Sequence, residues 1–234
     1  MKIFIIILIV AIAAYLLSLI DMYTQLARYK NYWLRNNEKV VVTKPIYFAL
    51  GDSAAQGVGA THPSRSYPGV IQQGMNENGR DVQLVNLSKS GAKVRDVIDT
   101  QLPELERYPV DPNAVVTIEI GANDMVSFEP KKFEADMDEL MTKLPSQTLI
   151  SDIPYFGQSR LKNKQPNVVE ANKIMYKLAQ KHGYKLVPLH EKMEKNGGIR
   201  TFAPDWFHPS NYAYRENWAA VFLERINADT KATF

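Results

Sequence analysis

The chain has 234 residues, 45% of them hydrophobic and 23% charged, with a net charge of +3. That is enough for one good-sized core, and the mild positive charge, with no basic stripe interleaved with aromatics, argues against nucleic acid as a partner. There is no cysteine, which excludes disulfides, zinc–thiolate centres, thiol nucleophiles and a cysteine-borne lipid anchor.

Residues 3–20 form an uncharged apolar run behind Met1 and Lys2. As a helix, eighteen residues cover roughly 27 Å, close to the hydrocarbon thickness of a bilayer. Residues 1–22 are therefore expected to form a transmembrane anchor. Ala11-Ile12-Ala13 has the small-x-small look of a cleavage site, but it lies inside the run and is followed by Tyr15-Leu16-Leu17, not by a polar start. The anchor is expected to stay on the chain. Lys2 favours a cytoplasmic N-terminus, while Arg28, Lys30, Arg35 and Lys39 favour the reverse. The two-residue leader, typical of a signal anchor, tips the expectation to a domain outside the cytoplasm. Residues 23–44 are polar, with Tyr23, Tyr29, Tyr32 and Trp33 suited to a membrane interface. They read as a stalk or linker.

Residues 45–234 read as one domain, without repeats or low-complexity segments. Short apolar runs predict strands at 46–50, 82–87, 114–120, 148–153 and 185–189. Between and after them, helices are predicted at 67–78, 94–105 (interrupted near Pro103), 130–144, 166–181 and 212–226. The 130–144 helix opens on Pro130 and carries Phe133, Met137, Leu140, Met141 and Leu144 on one face. Strands alternating with helices imply a parallel sheet covered on both faces, an α/β fold.

Four polar stretches fall after strands or before the last helix: Gly51-Asp52-Ser53, residues 86–91 ending in Ser90-Gly91, Gly121-Ala122-Asn123-Asp124, and Asp205-Trp206-Phe207-His208-Pro209. In a parallel sheet the first three converge at the C-terminal edge, where ligand sites lie, and the fourth can drop onto it. Ser53 can attack a carbonyl carbon once His208 removes its proton. Asp205, three residues before His208, can hold the imidazole by its other nitrogen. The backbone N–H groups of Ser53 and Gly91 and the carboxamide of Asn123 are candidate oxyanion donors, each worth about 3–4 kcal/mol of barrier. A side chain at position 91 is expected to obstruct the approach.

These stretches resemble the blocks of the SGNH/GDSL hydrolase family, named for Ser, Gly, Asn and His in that order, here Ser53, Gly91, Asn123 and His208. Asn123-Asp124 resembles the family's GxND, and residues 205–209 its DxxHP. The resemblance covers residues 45–228. It implies a three-layer α/β/α flavodoxin-like fold with a central five-stranded parallel sheet. It further implies hydrolysis of esters through an acyl-enzyme on Ser53, and neither metal nor organic cofactor. Residues 121–125 and the compact size look most like the lysophospholipase and acyl-esterase branch, and an anchor suits a lipid or cell-envelope substrate. Alternatives are a carbohydrate or peptidoglycan O-acetyl esterase, an acyltransferase, or a non-catalytic binding protein on the same fold. Other motifs fail. His190-Glu191 lacks the second histidine of HExxH, since position 194 is Glu. Ser90 to Lys93 fits SxxK, but no SDN or KTG accompanies it, and the GxSxG elbow is absent around Ser53.

Overall fold

The computed structural model describes residues 2–111 and 114–231. Met1, residues 112–113 and the last three residues, which fall inside the expected anchor and domain, lie outside the described residues. The sheet is built from β1 (Ile46–Gly51), β2 (Gln83–Asn86), β3 (Val115–Glu119) and β4 (Thr148–Ile150), all parallel in the order β2-β1-β3-β4. β1 is central and buried along its whole length. Its alternation divides the core: Ile46, Phe48 and Leu50 join one hydrophobic cluster, Tyr47 and Ala49 the other. A strand covered on both faces is cut off from water, so the run from Ile46 to Leu50 is apolar but for the Tyr47 hydroxyl, which is hydrogen-bonded to Thr117 Oγ1 at 2.8 Å.

The expected fifth strand is reduced to a single bridge between Ser151 and Val187, so the sheet has four strands among the described residues. Pro188 is the cause. It has no N–H to give a ladder, and a short helix starts at the next residue. The Val187 N–H still reaches Ile150 O at 2.7 Å, so this segment occupies the fifth place of a flavodoxin-like order.

In chain order the helices are α1 (Lys2–Asn37), α2 (Ser53–Gln56), α3 (Tyr67–Glu77), α4 (Val94–Asp96), α5 (Leu102–Leu105), α6 (Pro130–Lys143), α7 (Gln165–His182), α8 (Leu189–Lys195), α9 (Asn211–Ala213) and α10 (Ala220–Lys231). α4 to α7 cover one face of the sheet; α3 and α10 cover the other. The expected apolar face of α6 is buried, from Phe133 to Leu144. α7 ends at Gly183, whose φ of 79° and N–H bond to Ala179 O make it a left-handed stop. α4 and α5 are joined by a π turn, Val97–Gln101, just before Pro103. The N–H of Leu102 bonds to Val97 O, five residues back, and Pro103 has no N–H to continue the regular ladder.

α1 is one unbroken helix of 36 residues. Its first half is exposed, and the helix is long and apolar enough to cross a membrane. Its second half is packed on the domain. Met22, Gln25, Tyr29 and Trp33, spaced three and four apart, form a buried stripe. Tyr29 OH donates to Ala60 O at 2.7 Å and Trp33 Nε1 to Gln56 O at 2.9 Å. Asn37 both donates to Asn86 O and accepts from Asn86 N.

Candidate active site

β1 ends on Gly51, and a Cβ there would stand 2.3 Å from Glu119 O on β3 while φ is +135°. Glycine is therefore obligatory on two counts. The Gly51 peptide is clamped from the π turn: Gln101 Nε2 donates to Gly51 O at 2.8 Å, and Gln101 Oε1 accepts from Gly51 N at 2.9 Å. Asp52 then caps α2, its Oδ1 accepting from Ala54 N at 2.9 Å. Ser53 begins that helix at the C-terminal edge of the sheet.

His208 Nε2 lies 3.0 Å from Ser53 Oγ, and His208 Nδ1 lies 2.8 Å from Asp205 Oδ2. Asp205 Oδ1 accepts from the backbone N–H of Phe207 and of His208, at 3.1 and 3.0 Å. The carboxylate is thus fixed by its own turn before it meets the imidazole. Burial pushes its pKa up, but the bond and charge of His208 and the two N–H donors outweigh that, leaving it below the ordinary aspartate value. Arg160 stands over the Phe207 ring, and its guanidinium is 3.7 Å from Asp205.

Gly91 and Asn123 come to the same edge. Asn123 Nδ2 donates to Asp52 Oδ2 at 3.1 Å and to Ala92 O at 3.0 Å, so both amide hydrogens are engaged. Gly91 is constrained by its own backbone. A Cβ there would meet no heavy atom of the chain within 4 Å, so its constraint is the left-handed φ of +80° and not crowding within the protein. Asp124 Oδ2 accepts from Val94 N at 3.2 Å and ties this loop to α4; burial raises its pKa to about 6.

Three participants have no sequence signature. Gln101 sits inside a helix pattern and nothing local marks it as a clamp. Gln56, buried, accepts from Ser90 Oγ and so joins α2 to the Gly91 loop. Glu119, buried at the end of β3, has an Oε2 with no hydrogen-bond partner. Burial, reinforced by the nearby Asp52 charge, drives its pKa well above the ordinary glutamate value. Burial likewise raises Asp52, to about 6, against the opposing pull of the Ala54 N–H and of His208. In the sequence Glu119 is only a single acid at the end of a strand that also carries Thr117.

The cleft beside Ser53 is walled by Pro154, Tyr155, Phe156, Phe202 and Phe207. A roomier depression, lined by Val42, Pro45, Met75 and Val115, lies at the opposite edge of the sheet. It holds no serine–histidine pair. Among the described residues, no group of three or more His, Asp or Glu side chains is placed to hold a metal ion.

A three-layer α/β fold with a serine, a histidine and an aspartate hydrogen-bonded in series at the sheet's C-terminal edge defines a hydrolase class. The sequence model of the GDSL-like Lipase/Acylhydrolase family matches residues 49–216, and the chain belongs to that family. It is a hydrolase acting on esters. No curated protein matches it in sequence. Among solved structures it is similar to a lipolytic protein of the G-D-S-L family from Veillonella parvula DSM 2008, with 18% identity and a TM-score of 0.64 over 76% of this chain and 96% of that one. A lipase/acylhydrolase from Enterococcus faecalis gives 18% and 0.63 over 79% and 96%. Axe2, an acetylxylan esterase from Geobacillus stearothermophilus, gives 18% and 0.60 over 78% and 94%. At such identities the likeness concerns the fold.

Proposed function

We propose that the chain is a membrane-anchored serine esterase in which Ser53, His208 and Asp205 act as a triad. The observation that carries this is the unbroken series Asp205 Oδ2, His208 Nδ1, His208 Nε2, Ser53 Oγ, with contacts of 2.8 and 3.0 Å. His208 Nε2 takes the Ser53 proton as Oγ bonds to the carbonyl carbon. The alcohol leaves with that proton, and the acyl group stays on Ser53. Water then gives a proton to His208 and its oxygen to the acyl carbon, releasing the acid and restoring the serine. The oxyanion is held by the N–H groups of Ser53 and Gly91 and by Asn123, one of whose amide hydrogens turns from Ala92 O or Asp52 onto the substrate. The apolar and aromatic wall of the cleft suits an acyl chain. Residues 1–22 serve as the anchor, residues 23–44 join it to the domain of 45–234 and pack on that domain through Tyr29 and Trp33, and the domain lies outside the cytoplasm.

The test is hydrolysis of p-nitrophenyl esters of graded length by the full chain and by Ser53→Ala. The variant is expected to lose on the order of 10³-fold or more in kcat with little change in KM. Equal turnover by both proteins would remove Ser53 from the mechanism.

A further inference from the structure

The apolar run of α1 and the loop carrying Asp205 and His208 meet at one place. Tyr15 OH donates to Pro204 O at 2.9 Å. Met22 is buried with Val58 and Ala203, and Gln25 Oε1 accepts from Gly59 N at 2.8 Å. Pro204 immediately precedes Asp205. Because α1 is a single helix from Lys2 to Asn37, these contacts fix how far the domain stands from the anchor.

That distance is short. Tyr15 lies about 7 Å inside the end of the apolar run at Ile20 and about 18 Å from its start at Ile3. Residues 3–14 alone are well short of a hydrocarbon core of roughly 30 Å. The boundary of the leaflet therefore falls above Tyr15, between it and Met22, and the loop that touches both, through Pro204 and Ala203, straddles it. Two residues on from Pro204, past the buried Asp205, Trp206 is 45% exposed, in a chain whose other two tryptophans, Trp33 and Trp218, are buried. Tryptophan suits the headgroup layer, and Arg160, whose N–H holds Trp206 O at 2.8 Å, brings a half-exposed guanidinium to the same loop.

We propose that residues 203–206 rest in the headgroup layer of the leaflet on the domain's side, so that the cleft draws its ester from the bilayer that anchors the enzyme. The substrate is then an amphiphilic acyl ester resident in that leaflet, which reaches Ser53 with its tail still shielded from water. This rests on Ser53 being an esterase nucleophile, and it adds the source and the class of the ester.

The experiment uses the full chain in phosphatidylcholine vesicles containing lipid spin-labelled near the headgroup end of the acyl chain. The emission of Trp206 is obtained as the difference between the parent and Trp206→Phe. A second variant carries seven helix-forming residues between Ile20 and Asp21, which lengthens α1 by about 10 Å and close to two full turns, so the domain keeps its facing. The expected result is quenching of Trp206 in the parent and its loss in the lengthened variant. Hydrolysis of a long-chain ester carried in the same vesicles should fall about tenfold in that variant, since effective concentration at the cleft is lost. Hydrolysis of a soluble short-chain ester should not change. Unquenched Trp206 in the parent overturns the docking, and equal rates on the vesicle ester overturn the delivery. If neither protein hydrolyses any ester, the esterase reading fails, while the quenching still decides where the loop sits.

Discussion

Gln101 is the residue on which the Ser53 turn leans. It satisfies both polar groups of the Gly51 peptide from inside the core. Gln101→Leu would leave the Gly51 N–H buried without a partner, at a cost of about 1–3 kcal/mol. Urea unfolding should show that loss, and an unchanged midpoint would mean the clamp is idle. Glu119 makes a pH-dependent prediction. Its folded pKa is raised, so above the ordinary glutamate value the folded state keeps a proton that the unfolded chain has released. Stability must fall as pH rises through that window, by up to about 1.4 kcal/mol per pH unit. Glu119→Gln removes this proton linkage. Unfolding measured between about pH 5 and about pH 8 should find the variant gaining on the parent as pH rises, from the ordinary glutamate pKa upward. Parallel stability curves would contradict a buried neutral Glu119. Neither residue announces itself in the sequence, because a glutamine in a helix and a single acid at a strand end are ordinary until packing removes their water.

At the scale of elements, the most consequential is α1. Its residues from Met22 to Asn37 belong to the packing of the catalytic unit, with Trp33 sharing a core cluster with Tyr47 and Ala49 of β1. A chain beginning at Asp21 should therefore be as stable as the full chain. One beginning at Pro45 should lose several kcal/mol, given that removing a single buried tryptophan side chain typically costs about 3–5 kcal/mol. Thermal unfolding of the two truncations checks this, and equal midpoints would show that the helix is mere tether. The period of α6 was readable because its apolar face is intrinsic to its own residues. The brevity of the fifth strand was not. The run from Lys185 to Leu189 has strand-like composition, yet Pro188 and the start of α8 leave one ladder position at Val187.

For the whole molecule, an exposed apolar half-helix continuous with a buried half-helix predicts two behaviours from one chain. The full chain should float with phosphatidylcholine vesicles through an alkaline wash, and the chain beginning at Asp21 should stay in the aqueous fraction; flotation of both would place the membrane contact elsewhere. The sequence by itself determined the α/β alternation, the order of Gly51-Asp52-Ser53, Gly91, Asn123 and His208, and the apolar run, because each is a local pattern of side-chain chemistry. Only the tertiary structure decided that Gln101 holds Gly51, that Asn123 is bound to Asp52 and Ala92, and that α1 lies against the loop before Asp205. Those are contacts between residues from 31 to 189 positions apart, and no local pattern specifies a partner at such a distance. It is chosen by which buried polar groups are left to satisfy once the sheet has closed.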